Sequence, residues 1–432
     1  MAEAFEKAQQ DEKKEPEPEP VDYLIPESTL KENPFYGLAW IENGNLPRVE
    51  LSINPTVPAV IATLKAALNP KVDYVVTFLH RGEYSKLYTV VFDNKEYVMR
   101  VSLPIWPRVK TESEVATLKW VNENSILPVP LVKAYDSSRL NPLGFEWILM
   151  SKVDGVPLSK IWHFVTQDAK ERIVRQVARY VRDVFRHPFK GGIGSLFEAP
   201  PGSDGRHGPF SQLEWIASRL DVISWDLKQR INASFDVKFR STANKTLVLV
   251  HRLKQLMPKF FPGIVESDKK PLRTHLWHDN LSAENIMVDI NGVLRGVIDW
   301  QCMAALPAHD ICQFPAFLQH GHDRFDDPMP SRFLVDDEGP LYNAYFAAAK
   351  RYEVTTMRVL FIEEMQGLCP DWVDIFRHNG NADLRDYETA IQNCDQECFY
   401  DLIEDWVTNV ENGRDLTHLP RLHERFAEFS TA

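Results

Sequence analysis

Between residues 276 and 300 the chain reads LWHDNLSAENIMVDINGVLRGVIDW, and there His278, Asn280, Asn285 and Asp299 have types and spacing suited to phosphoryl transfer. His278, Asn285 and Asp299 stand where a catalytic loop and the metal-binding aspartate after it would place them. The position two after His278 calls for an aspartate acting as general base, and it holds Asn280. An amide can hydrogen-bond a hydroxyl but cannot accept its proton. General-base catalysis is worth roughly 10²–10⁴ in rate, so transfer would be slowed while nucleotide binding survived. Asp279 could substitute as base only if the loop were turned, since adjacent side chains usually diverge.

The spacing has a geometric reason. Ile286 to Ile290 and Val293 to Ile298 are β-branched-rich runs separated by Asn291-Gly292, whose residues tolerate the positive φ of a tight hairpin turn. Counted outward from a two-residue turn, 290 pairs with 293, 288 with 295 and 286 with 297, which brings Asn285 almost opposite Asp299. An amide oxygen beside a carboxylate suits a hard cation such as Mg²⁺ that also holds substrate phosphates. Positioning and charge neutralisation then carry most of the chemistry. The bland alternative is a surface hairpin with a polar mouth.

With 432 residues the chain exceeds one ordinary core, and 44% hydrophobic residues suffice for two. Lys+Arg of 49 against Asp+Glu of 61, a net charge of -12, argues against a general nucleic-acid or anionic-membrane binder, so any phosphate site must be local. Cys302, Cys312, Cys369, Cys394 and Cys398 are too few and too irregular for a disulfide framework or a zinc site, which fits a reducing compartment. No apolar run approaches the ~20 residues that span a bilayer. The acidic, proline-rich start, MAEAFEKAQQDEKKEPEPEP, resembles neither a secretory nor a mitochondrial leader, which leaves the cytosol as the expected location.

Composition and pattern predict a disordered tail over 1–21, an extension over 22–70 with a helix at Val57 to Leu68, a strand-rich lobe over 71–153, which the resemblance given below makes the nucleotide side, and a helical lobe over 154–432. From Tyr74 the runs YVVTFL, LYTVVF and EYVMRV predict three antiparallel strands with a turn at Asp93-Asn94. Gly82, between the first two, lies where a phosphate-covering loop would be, and an ordinary hairpin loop fits it equally. A helix over Thr111 to Asn122 and two further strand-like runs, VPLVKAYD and FEWILMSKVDG, follow. Helices are then expected at Lys160 to Arg186, Pro209 to Lys228, Ala243 to Met257, Gly339 to Met365 and Asp383 to Trp406. The class is α+β, a small antiparallel sheet lobe plus a larger mainly helical lobe.

The stretches YVMRV, TESEVATLKWV, ILPVPLVKAYD, NPLGFEWILMSKVDG, LWHDNLSAENIMVD, GVIDW and LPAHDICQFPAFL together resemble the aminoglycoside phosphotransferase (APH) family, in particular its fungal branch. That resemblance, from about residue 74 to 318, implies a protein-kinase-like two-lobe fold using ATP and Mg²⁺, with a hydroxyl-bearing small molecule as partner. It further implies that His278 props the catalytic loop, that Asn285 and Asp299 hold the metal, and that Glu114 pairs with a basic residue on the third strand. Ile148, Met150 and Ser151 would line the adenine pocket, and Asp310 would be the structural aspartate opening the helix after the metal loop. Arg100 stands where a kinase has its phosphate-binding lysine, with Lys110 as an alternative.

Weaker signals have plainer readings. The H-x-H of His320-Gly321-His322 lacks a third ligand at suitable spacing and reads as a solvated loop. Ser282 lacks the context of a nucleophile, and Trp162, Trp277 and Trp300 read as packing. Three functions share these residues: small-molecule kinase, kinase-like binding module without transfer, and metal-dependent nucleotide hydrolase.

Overall fold

A computed structural model describes residues 54–82, 84–190, 192–198, 236–260, 273–319, 342–378 and 382–414, with shorter pieces between 28 and 51, 220 and 232, 325 and 340, and 420 and 426. The expected tail over 1–21, most of the expected helix at Pro209 to Lys228 and the H-x-H stretch lie outside the described residues. Contacts divide the chain into two compact units. The first is Met1–Val115 with Leu131–Lys152, and the second is Ala116–Pro130 with Val153–Ala432.

The first unit opens with a hairpin, β1 (Leu38–Asn43) and β2 (Leu46–Leu51), and the helix α1 (Val57–Ala67). Thr56 caps α1 by accepting from the Ala59 N–H, and a proline follows in the first turn, where its missing donor costs nothing. The strands β3 (Val75–Arg81), β4 (Ser85–Phe92) and β5 (Lys95–Ser102) form the predicted antiparallel meander. Asp93 and Asn94 take φ of 50° and 57°, so the turn at that dipeptide is of the primed kind that matches sheet twist. The helix α2 (Val109–Asn124) leads to β6 (Val132–Asp136) and β7 (Glu146–Ser151), giving a five-stranded sheet of order β3-β4-β5-β7-β6. One face packs Val90, Met99, Val101, Trp147 and Leu149 against Val60 and Leu64 of α1. The alternate residues of β7, Ile148 and Met150, pack on Val115 of α2.

The second unit starts with the short β8 (Val156–Pro157), α3 (Leu158–Ile161) and α4 (Gln167–Arg186). The single helix expected from Lys160 to Arg186 is therefore two, because Thr166 folds out as an N-cap and accepts from the Ala169 N–H. After β9 (Phe189–Lys190) and α5 (Val237–Phe260) come β10 (Arg273–Trp277), β11 (Ile286–Val288), β12 (Leu294–Val297) and β13 (Ala304–Pro307). Two three-stranded sheets result, β13-β10-β9 and β12-β11-β8. The remaining helices are α6 (Ala308–Ile311), α7 (Tyr342–Leu368), α8 (Pro370–His378), α9 (Ala382–Asn393) and α10 (Tyr400–Glu411). The helix expected from Asp383 to Trp406 breaks between α9 and α10 at a 3-10 turn, Glu397–Phe399. A separate core gathers Leu249, Leu253 and Phe260 of α5 with Tyr387, Ile391, Ile403 and Trp406. The class is the expected α+β one, a small antiparallel sheet followed by a larger, mainly helical part.

Candidate active site

The hairpin that carries Asn285 and Asp299 forms, but its turn is not the two-residue one expected. Ile286 pairs with Val297 as counted, whereas Val288 pairs with Leu294 rather than Arg295, across an irregularity at Met287/Val288. Asp289 is the cause. Its Oδ1 accepts the backbone N–H groups of Asn291 and Val293, each at 2.9 Å, and its Oδ2 accepts from Arg295 at 2.7 Å. These bonds hold the Asp289 carboxyl below the ordinary range and replace ladder bonds with a wider Asx-type turn. Of the two turn residues only Gly292 has positive φ, 71°, and a Cβ there would stand 2.8 Å from Val165 and 2.9 Å from Ala169.

The open end of the hairpin nevertheless keeps its register. Ile298 N–H donates to the Asn285 carbonyl at 2.9 Å, which sets Asp299 one residue from Asn285's partner. Asn285 Nδ2 donates to the Asn280 carbonyl at 2.9 Å, so Oδ1 is the end of the amide left to serve as an oxygen ligand. Asp299 itself takes φ of 65°, in the left-handed region that non-glycine residues rarely occupy. Burial raises the Asp279 carboxyl above its usual range, and the Asp299 charge adds to that rise against backbone donors at Asn280 and Asp279. Asp279 and Asp299, whose charges repel, and the remaining amide oxygen of Asn285 are oxygen donors of the kind a hard divalent cation such as Mg²⁺ takes. Asn280 is exposed, and Asp279 also reaches solvent as a residue although its carboxyl is crowded by the surrounding loop.

Beneath the loop, His278 is only 2% exposed, and burial pushes its imidazole down to about 4, against a smaller opposing pull from the backbone of Ile298. It is a neutral ring at physiological pH. Its centroid lies 4.6 Å from that of Trp300 at 67°, and Trp300 is fixed by donating Nε1–H to Val297 at 2.9 Å. Trp162 and Trp300 are buried, consistent with packing, and Trp277 is half-buried. Asp310 lies in the first turn of α6. Its carboxyl is raised well above the ordinary range by burial and by Glu388, with His309 opposing, and His309 Nε2 lies 3.3 Å away.

In the first unit, Arg100 on β5 and Glu114 on α2 form an ion pair with both side chains buried. Lys110, the alternative cation, is also buried, at the start of α2 and close enough to Glu146 to lower its carboxyl, although burial still holds that carboxyl above its usual range. Gly82 sits in a tight turn closed by a 2.9 Å bond from its own N–H to the Ser85 carbonyl. The β3 and β4 strands run further than their apolar runs implied, leaving little of the polar loop expected around Gly82. Ile148 and Met150 face α2, and Ser151 Oγ accepts the Leu131 N–H at 2.8 Å. Neither Asp289 nor Tyr180 stands out in the sequence as a site residue, although Asp289 three residues before Gly292 is a legible Asx-turn signal.

The chain is similar to a subtelomeric hrmA-associated cluster protein of Aspergillus fumigatus, 36% identical over 28% of this chain and 24% of that protein. It is also similar to clavilactone A biosynthesis cluster protein Y of Ampulloclitocybe clavipes, 26% identical over 53% of this chain and 57% of that protein. It thus spans between about a quarter and somewhat over half the length of these curated relatives. Among solved structures, the aminoglycoside phosphotransferase APH(4)-Ia aligns over 79% of this chain and 98% of that one, with 16% identity and a TM-score of 0.43. The model of the phosphotransferase enzyme family, APH, matches residues 75–344, well over half the sequence, and the chain therefore belongs to that family.

Proposed function

We propose that the protein transfers the γ-phosphoryl group of Mg-ATP to a hydroxyl of a small molecule, at a rate lowered by Asn280. The observation that supports this reading most is the bond from Ile298 N–H to the Asn285 carbonyl, which sets Asp299 one residue from Asn285's partner at the mouth of the hairpin, while Asn285 Nδ2 donates to the Asn280 carbonyl and leaves Oδ1 as the oxygen donor. In the transfer, the acceptor oxygen bonds to the γ-phosphorus, the bond from that phosphorus to the bridging oxygen breaks, and ADP leaves. Asn285 and Asp299 would hold Mg²⁺, which supplies charge neutralisation at the phosphates. In the first unit, Arg100, braced by Glu114, offers a planar cation to phosphate oxygens, and Ile148, Met150 and Ser151 belong to the strand assigned to adenine. Asn280 orients the acceptor hydroxyl but cannot take its proton. Asp279 has the carboxylate chemistry to do so, and its raised carboxyl brings it nearer to a working base. A reducing compartment such as the cytosol fits five cysteines that are all unbridged. No helix among the described residues is long and apolar enough to cross a membrane.

Asn280 also favours a second reading, a nucleotide- or protein-binding module that performs no transfer. Thermal shifts with Mg-ATP on the wild type, Asn280→Asp and Asp299→Ala separate the possibilities, because a ligand stabilises in proportion to its binding. The first two should shift and the third should not. Transfer of label to a hydroxyl library by Asn280→Asp supports the kinase reading, and transfer by neither active-loop form supports the binding module. Absence of any Mg-ATP shift in the wild type removes the kinase reading and the nucleotide-binding form of the module, leaving a protein-binding module.

A further inference from the structure

The ring of Tyr180, on α4, and the ring of His278 both stand edge-on to the indole of Trp300. Tyr180 is 6.0 Å away at 84°, and His278 is 4.6 Å away at 67°. The two residues are 3% and 2% exposed. Neither Tyr180 Oη nor either ring nitrogen of His278 makes a hydrogen bond of normal geometry to a described residue, which is costly for groups so deeply buried. Both line one cavity of about 20 Å³, otherwise walled mainly by Val181, Val184, Leu276 and Leu281. A site of roughly 10–15 Å³ with at least two polar partners is enough to hold one water.

We infer that a single buried water joins Tyr180 Oη to the His278 imidazole, making Tyr180 the positioning residue that sets which way that ring faces. A neutral imidazole has one donor and one acceptor nitrogen. With one ring nitrogen carrying the proton, the other can accept a hydrogen bond from the cavity that both residues line. Burial keeps Tyr180 protonated, so it supplies the opposite end of the relay as a donor. Tyr180 O–H donates to the water, and the water donates to the unprotonated ring nitrogen of His278. The chain of contacts links α4 to the hairpin mouth, where Ile298 N–H already donates to Asn285. Its importance for catalysis rests on the phosphotransfer reading; the water bridge itself does not.

The full-length chain with ¹⁵N-labelled histidine tests this by NMR of the imidazole nitrogens, with Tyr180→Phe keeping the ring and deleting the hydroxyl. The wild type should show one neutral His278 tautomer, and Tyr180→Phe should move the acceptor nitrogen downfield as its hydrogen bond is lost. An unchanged resonance overturns the inference. Should Tyr180→Phe not fold, a high-resolution crystal structure of the wild type decides: an ordered water touching both Tyr180 Oη and His278 upholds the bridge, and a dry cavity or a water touching one of them overturns it. Mg-ATP thermal shifts measured alongside keep the two readings apart. A responsive His278 in a protein that Mg-ATP does not stabilise retains the bridge and removes the kinase reading, whereas a silent His278 in a protein stabilised by Mg-ATP does the reverse.

Discussion

In the proposed transfer, Asn280 puts an amide where a proton-accepting carboxylate would serve, and its carbonyl receives the Asn285 amide. Supplying that carboxylate should leave Mg-ATP affinity in place and raise transfer by about 10²–10⁴, the usual worth of a positioned general base. Initial rates of Asn280→Asp against the wild type, at saturating Mg-ATP and with a shared acceptor, measure it. His278 gives a second expectation. Its folded pKa, about 4, lies below the ordinary value of 6.5, so the unfolded chain binds the proton more readily. The contribution is complete above pH 6.5, is lost as pH falls toward about 4, and does not change further below that. The sum is about 3 kcal/mol, read as the difference in denaturation free energy between wild type and His278→Gln across pH 4–7. At this scale the spacing of the segment was informative about geometry, since Asn285 and Ile298, the residue before Asp299, meet across the hairpin mouth as counted. It was silent on Tyr180, because nothing local to an amphipathic helix tells which tyrosine will face a histidine almost a hundred residues away.

Elements place these groups through backbone geometry more than through side-chain contacts. β8 pairs with β11 at Val156↔Val288, and the residue before it, Gly155, takes φ of 110°, with a would-be Cβ only 2.4 Å from the Val288 carbonyl oxygen. No L side chain fits that approach. Gly155→Ala should therefore cost about 1–3 kcal/mol for the dihedral alone and more for the clash, and should displace β11 and with it Asn285. Calorimetry should show a lowered Tm, and Mg-ATP should stabilise this variant less than the wild type. If both quantities match the wild type, β8 does not hold the hairpin in place. The hairpin as an element was legible from two β-branched runs around Asn291-Gly292, and so was the pairing of Ile286 with Val297. Its turn was not, because Asp289 competes for the Asn291 and Val293 N–H groups and converts a two-residue turn into a wider one with a shifted ladder. Propensity misjudged the helices at Thr166 and at Glu397–Phe399 for a related reason, since a side-chain cap or a 3-10 turn can interrupt a run whose apolar period continues through it.

On the scale of the whole molecule, each unit has a hydrophobic core of its own, and the family model covers only part of what builds the second. Residues past 344 carry α8, α9 and α10, and the core that α9 and α10 share with α5 includes Trp406 stacked near Phe260 and Tyr387, whose hydroxyl donates to the Leu253 carbonyl at 2.7 Å. None of the residues assigned to nucleotide or metal lies in that cluster. Scaffold and site should therefore respond differently to substitution. Trp406→Ala removes a side chain that is 3% exposed and should cost about 3–5 kcal/mol, while the added stability from Mg-ATP persists in whatever fraction remains folded. Glu114→Ala strands the buried Arg100 charge and should cost a similar amount, about 3–5 kcal/mol, but should abolish the Mg-ATP increment as well. Replacing both partners with apolar residues, Arg100→Met with Glu114→Leu, sharpens the contrast: stability should return to near the wild-type value, because no buried charge is left unpaired, and nucleotide binding should stay lost. A double variant that recovers both stability and the Mg-ATP shift would show that the Arg100–Glu114 pair braces the sheet unit without touching nucleotide.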